Sequence, residues 1–375
     1  MADWLLDPEI AILLTGGLVG TASALLGPFL ILRQNAMLTD AISHAIVFGI
    51  MLVWVLTGLI SGPVQIMGAG LAGILCVWLI EAVAATGRVK QDAAIGIVFP
   101  AMFASGILML NLFARNVHID VHTVLLGEIG FVWLDTVRVA GIDVPNAVLW
   151  MTTVTLLNAG FVFVFWKELK LSTFDPVLAA AFGFRPKLLF YALLLLTSGT
   201  AVAAFDAVGA VLFIAFVIVP SATGYLLTDR LVTMILIGVV SSLLSVLSGY
   251  WLAHQWDVSI SGMMALMTGA FLGGAILFGP KYGLVTRLLA RRDLRLANDV
   301  RALVVHLHAH EGRREQRDES VADALVTHLN WPEARADAVM ERALNGGYLV
   351  RSGETLHLTE RGRSTAQSLL EPWRR

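Results

Sequence analysis

The sequence predicts an all-α polytopic membrane protein of about nine transmembrane helices, followed by a small α+β domain. Three observations carry this. Hydrophobic residues make up 57% of the 375 and charged residues 14%, with a mean hydropathy of +0.77; soluble domains are about half apolar and a quarter charged. Apolar runs of about 20 residues recur through the first three quarters, each long enough to cross roughly 30 Å of hydrocarbon. From Arg287 onward those runs stop, and 15 Arg with no Lys face 13 Asp and Glu. The expected division is a membrane domain at 1–285 and a tail at 286–375.

The spans follow in order. The first, 9–33, ends at Arg33. The second and third, 40–60 and 64–86, lead to Arg88 and Lys90. The fourth, 92–113, opens a long, partly polar segment at 114–143. The fifth, 144–166, is followed by Lys167, Lys170, Arg185 and Lys187. The sixth and seventh, 186–204 and 208–227, lead to Arg230, and the eighth and ninth are 231–253 and 261–281. Glycine is frequent, as where helices pack closely in lipid. Pro220, within the seventh, is expected to kink or break it.

Charge then sets the expected orientation. Loops after the first, third, fifth and seventh spans hold the eight basic residues just named; the other side holds Arg115 and Arg138. Basic loops stay cytoplasmic, so the N-terminus is expected outside and the Arg-rich tail in the cytoplasm. The start, "MADWLLDPEI", has no basic stretch, so no cleaved signal peptide is expected. The single cysteine, Cys76, lies in an apolar run and excludes a disulfide within the chain.

Within "AMLTDAISHAIVFG", Asp40 and His44 are four residues apart. On a helix they share one face, about 6 Å apart along the axis. Ionisable groups at membrane depth usually face a cavity, a partner or an ion. One carboxylate oxygen and one imidazole nitrogen suit Mn, Fe or Zn; Mg and Ca prefer all-oxygen sites. Residue types alone leave a second reading open, in which Asp40 caps the helix and His44 bonds a nearby carbonyl. A second copy of the pair across a two-fold axis would make four ligands.

Other polar constellations are weaker. "NVHIDVHTVLLGE" holds His118, Asp120, His122 and Glu128, an outer entry for cations or an ordinary polar loop. "VVHLHAHEG" carries His306, His308 and His310, of which only His306 and His310 share a helical face. "TFDPVLAAAFGF", 173–184, reads as a short helix with Asp175 as N-cap, Pro176 in the first turn and Gly183 at the exit. Such a helix could dock a partner or merely connect two spans. No nucleotide-binding glycine loop with its lysine occurs, and no facing pair of catalytic groups stands out. The chain reads as a transporter component rather than an enzyme. If ATP drives it, the ATPase is another polypeptide.

"GPFLILRQNAMLTDAISHAIVFGI", "QDAAIGIVFPAMFASGILML", "HTVLLGEI", "LKLSTFDPVLAAAFGF" and "AVGAVLFIAFVIVPSATGYLLTDR" together resemble the permease subunits of bacterial metal-ion ABC importers for manganese, zinc and iron(II), over roughly 9–285. The resemblance implies a type II importer fold and a pair of permease subunits, either two copies or related chains. It implies a cytoplasmic ATP-binding subunit on each and an extracytoplasmic metal-binding protein that delivers the ion. No permanently bound cofactor is expected; the metal is cargo. Asp40 and His44 fall on the family's Asp-x-x-x-His pair, which lines the translocation route. Phe174, Asp175, Pro176 and Gly183 fall on the helix that docks into the ATPase. The tail reads as helices at 295–310, 319–329 and 333–345, two strands around Ser352-Gly353, and a last helix. It resembles a winged-helix domain. Its net charge of about +2 is low for nucleic-acid binding, so a docking or regulatory role is expected, with no nucleic acid. By analogy with tailed members, Mn(II) is the expected cargo, with Zn(II) or Fe(II), or a transporter acting without ATP, as alternatives.

Overall fold

A computed structural model of the chain describes residues 6–58, 63–113, 127, 129–139, 141–313, 320–321 and 328–371. The chain divides into two compact units, Met1–Gly283 and Leu284–Arg375. Among the described residues, nine segments are long and apolar enough to cross a membrane.

The first unit is built on α1 (Pro8–Leu32). Asp7 caps it by accepting from the Glu9 amide at 3.0 Å, and Pro8 fits its first turn. α1 packs against α5 (Asn146–Val164), α8 (Pro186–Leu227) and α9 (Leu231–Trp256). Small residues allow this. A Cβ at Gly20 would lie 2.8 Å from the Ser242 Cβ, and one at Gly27 would lie 2.2 Å from the Val217 carbonyl oxygen. Lipid offers no hydrophobic drive to bring helices together, so close backbone approach and buried polar links take over. Asn158 on α5 supplies one such link: its amide donates to the Ala22 carbonyl at 3.3 Å and to Thr200 Oγ1 on α8 at 2.9 Å. Phe29, Phe213, Phe216, Leu26 and Leu30 fill the core of this unit.

A second layer is formed by α2 (Ala36–Thr57), α3 (Pro63–Ala85) and α4 (Gln91–Phe113), with α2 packed against both neighbours. α10 (Ile260–Phe278) closes the unit against α8 and α9.

The sixth and seventh predicted spans are the two arms of α8, and no loop separates them. Gly209 alone leaves helical geometry, at φ 76° and ψ 169°. The arms run in opposite directions. Phe190, near the start of α8, sits beside Arg33 at the end of α1, and Val217 and Ser221, near its end, pack on Gly27. A left-handed φ suits glycine, so the reversal needs one residue. Gly127 lies on its tip; a Cβ there would fall 2.2 Å from the Val208 carbonyl carbon. Pro220 stays inside helical backbone, so α8 is not broken there as it could have been; the break is at Gly209.

Between α4 and α5, the segment read as a polar loop carries a 3₁₀ turn, Ile129–Phe131, and a hairpin. β1 (Thr136–Val139) pairs antiparallel with β2 (Ile142–Pro145), Val137 opposite Val144. Beyond α5, the connection at 167–187 is also richer than expected. It holds α7 (Pro176–Ala181), the short helix expected behind Asp175, and before it an unexpected α6 (Trp166–Phe174).

The second unit packs α11 (Leu284–His310), α12 (Glu333–Asn345) and α13 (Glu360–Leu370) on the hairpin β3 (Leu349–Ser352) and β4 (Thr355–Leu358). Leu303, Val304, Val339, Ala343, Leu356 and Ala366 form its core. Arg335 holds Asp299 with two bonds, at 2.7 and 2.8 Å, while lying over Trp331. The helix expected to start at 319 does not: Val321 bridges Thr355, and Ser320 accepts from the Leu356 amide at 2.9 Å. Residues 322–327 lie outside the described ones.

Candidate functional site

α1 and α2 are joined by a three-residue turn. Arg33 caps the end of α1, Gln34 takes a left-handed φ of 59°, and Asn35 begins α2 while accepting from Gln91 Nε2 at 3.2 Å. Asp40 is therefore the fifth residue of α2 and not its cap, so the capping alternative falls. Its Oδ1 lies 3.6 Å from His44 Nε2. The two side chains are about one-third exposed, at 36% and 30%. Because α1 runs its full length before the turn, α2 starts at the end face of the bundle. At 1.5 Å per residue the pair lies roughly 6–12 Å along the helix.

Among the described residues, no backbone carbonyl is hydrogen-bonded to His44. Its ring stacks on Phe99 of α4, centroids 5.4 Å apart at 25°, with Phe103 edge-on at 5.4 Å and 73°. Two rings thus hold the imidazole's plane while Asp40 faces one nitrogen. Ser43, between the pair, is committed elsewhere and donates to the Thr39 carbonyl at 2.8 Å. Cys76 is buried, its thiol 3.9 Å from the Ala41 carbonyl. Among the described residues, no cluster of three or more His, Cys, Asp or Glu is arranged to hold a metal. The pair offers one oxygen and one nitrogen donor, a partial coordination shell.

α7 lies at the same end of the bundle. Asp175 is its N-cap, Oδ1 accepting from the Leu178 amide at 2.8 Å, with Pro176 first and Gly183 at φ 85° after it. Phe174, Val177, Leu178 and Phe182 are exposed on this short helix and its flanks. It is anchored from behind: Leu169 and Ser172 of α6 are buried, and Arg33 donates to Ser172 Oγ at 2.7 Å and Thr173 Oγ1 at 3.2 Å. Burial draws the Arg33 guanidinium below its ordinary value, although arginine stays charged in proteins.

His118, Asp120, His122 and Glu128 lie outside the described residues. In the second unit, His306 and His310 bring their rings to 4.8 Å, and His308 turns to Glu311, 3.4 Å away.

A model of the ABC 3 transport family matches residues 9–278, all nine apolar segments and both polar features just described. The chain belongs to the ABC 3 transport family. As such it is a multi-pass permease subunit of the bacterial inner membrane and no enzyme; ATP is hydrolysed on a separate subunit. Among family relatives, "Zinc transport system membrane protein TroD" of Treponema pallidum is 43% identical over 96% of this chain and 98% of its own. That match takes in the tail. "Manganese transport system membrane protein MntD" of Bacillus subtilis is 43% identical over 75% of this chain and 95% of its own. Among solved structures, PsaBC from Streptococcus pneumoniae in complex with Fab matches with a TM-score of 0.63 at 26% identity, covering 75% of this chain and 98% of that one.

Sequence reasoning named Asp40 and His44, which lie side by side, and the Asp175 cap. It missed Phe99 and Phe103, although "FPAMF" sets two aromatics four residues apart on one helix face. It counted Arg33 as a loop charge, and nothing in "ILRQNAM" signals its partners 139 and 140 positions away.

Proposed function

We propose that the chain is the permease of an ATP-driven importer of divalent transition-metal ions, with Mn(II) as cargo and Zn(II) or Fe(II) as the alternatives. The carrying observation is the Asp40–His44 pair, partly exposed on an otherwise apolar helix, its imidazole held between two phenylalanines. Oxygen and nitrogen donors without sulfur fit these ions, and the carboxylate admits the harder Mn(II). The names of the family relatives, zinc for one and manganese for another, agree with the metal class.

Two donors per chain form a weak site. A second permease, another copy or a related chain, would bring two more across a two-fold axis. An ion held by so few ligands can be released when the transporter changes state, whereas a closed four-ligand shell within one chain would retain it. Binding requires deprotonated ligands, so uptake weakens on acidification.

The proposed partners follow from the two ends. α7, with its exposed apolar side chains, would dock the cytoplasmic ATP-binding subunit. An extracytoplasmic metal-binding protein would deliver the ion to the opposite face, where His118, Asp120 and His122 are proposed entry ligands. The N-terminus is then outside and the tail cytoplasmic, in keeping with the eight basic residues on the α1–α2 side. One of the two basic residues on the outer side, Arg138, is paired with Asp143 at 3.0 Å. The tail, a proposed winged-helix-like module at 286–375, would serve docking or regulation.

Radiolabelled Mn(II) uptake tests this reading in cells lacking their own importers, with the chain, its ATP-binding subunit and its binding protein co-expressed. Saturable, ATP-dependent uptake with weaker competition by Zn(II) and Fe(II) is expected. Uptake without the ATP-binding subunit would refute it, and stronger competition by Zn(II) would reassign the cargo.

A further inference from the structure

Arg33 stands where three elements meet. It ends α1, its guanidinium fork reaches Ser172 and Thr173 at the end of α6, and its Cζ lies 5.4 Å from the centre of the Phe190 ring at the start of α8. Its partners are hydroxyls; among the described residues, no carboxylate is ion-paired to it. Ser172 and Thr173 are buried, and two residues after Thr173 Asp175 caps α7. On its other side Arg33 is followed by Gln34 in the left-handed region and by the head of α2, whose fifth residue is Asp40. An open cavity of about 410 Å³ beside it, lined by Gln34, Asn35, Pro176 and Lys187 among others, leaves the guanidinium free space.

We propose that Arg33 is a positioning residue that couples α7 to the Asp40–His44 helix. A displacement of α7 moves Ser172 and Thr173; the planar fork passes it to the α1–α2 turn, and α2 carries the metal pair with it. A two-pronged guanidinium suits this task because it fixes direction as well as distance, which a single ammonium does not. Hydroxyl partners suit it too: charge-assisted bonds to a neutral oxygen hold the cation firmly, yet part more readily in each cycle than a buried ion pair would. This inference rests on the reading of α7 as the ATPase dock.

The test uses the whole transporter in proteoliposomes: permease, ATP-binding subunit and Mn(II)-loaded binding protein. Arg33→Ala and the double variant Ser172→Ala/Thr173→Val are compared with wild type. Bound ATP-binding subunit, ATP hydrolysis and Mn(II) taken up per ATP are measured. Both variants are expected to bind the subunit and to hydrolyse ATP within about twofold of wild type, while uptake per ATP falls about tenfold. Unchanged uptake per ATP in either folded variant overturns the proposal. Loss of subunit binding in both variants also overturns it, because the contact then only holds the fold. Should Arg33→Ala fail to fold, the double variant, which keeps the arginine, decides alone. A wild type that does not bind the subunit would refute the reading of α7 as its dock, and this inference with it.

Discussion

His44 lies nearly parallel to Phe99, their ring centroids 5.4 Å apart and their planes 25° from one another. The two residues sit on different helices, so α4 sets the direction in which α2 offers its imidazole. An unrestrained histidine would present its nitrogen over many angles, only some of which share an ion with Asp40.

Phe99→Ala is therefore expected to weaken transport with both ligands in place. Groups that orient a metal ligand typically govern about 10–100-fold in affinity. The apparent Km for Mn(II) should rise about tenfold, and Phe99→Tyr, which keeps the ring, should stay near wild type. Initial uptake rates across metal concentrations measure this.

Helix packing around α1 gives a stability prediction. A Cβ at Gly27 would meet the Val217 carbonyl oxygen at 2.2 Å and Ser221 Oγ at 2.3 Å, both held by α8. Gly27→Ala should cost about 1–3 kcal/mol and lower the thermal midpoint of the purified protein. Gly160→Ala is the control. Nothing lies within 4 Å of the added atom, so its midpoint should hold or rise slightly.

On the surface of α7, Val177 is 79% exposed and Phe182 69%. If the ATP-binding subunit covers them, Val177→Asp should abolish its co-purification without changing the permease's own yield or monodispersity. Asp175→Asn, which keeps a capping acceptor, should leave binding intact.

In the tail, Arg342 bonds Asp293 across α11 and α12, and first that hydrogen bond, then the charge, hold the carboxyl below its ordinary range. A carboxyl lowered by folding stabilises the folded state above its unfolded pKa of about 3.9, and the contribution fades as pH falls through the lowered value. Arg342→Gln should thus lower the thermal midpoint slightly near neutral pH. The difference from wild type should shrink as pH falls below the unfolded value and vanish once the carboxyl is protonated in the folded state as well. Paired melts of the two proteins measure it.

Much of the fold is legible from hydropathy because a membrane span needs only length and apolarity. The segments at 9–33 and 92–113 lie within one residue of the helices Pro8–Leu32 and Gln91–Phe113. The reversal between 186–204 and 208–227 was legible as two spans, but not that Gly209 makes it without a loop; Pro220 was the louder signal. Asp175 and Pro176 marked α7 through local chemistry, whereas Trp166–Phe174, amphipathic and continuous with α5, left no boundary to read. The β1–β2 hairpin, "TVRVAGIDVP", was lost among polar residues although alternation and Gly141 were present. Of the site, Asp40 and His44 could be found because their spacing is local. Phe99 and Arg33 make their contacts across the fold, and a linear pattern does not record which distant elements become neighbours.

Metal uptake by Asp40→Asn and His44→Ala, each at wild-type surface expression and with ATP hydrolysis recorded in parallel, bears most directly on the proposed translocation pair. Loss of Mn(II) uptake in both, with the ATP-binding subunit still bound and hydrolysing, is the expected result. Uptake at the wild-type rate in both would contradict it: the pair would then be a surface contact at the head of α2, and the ion would take another route.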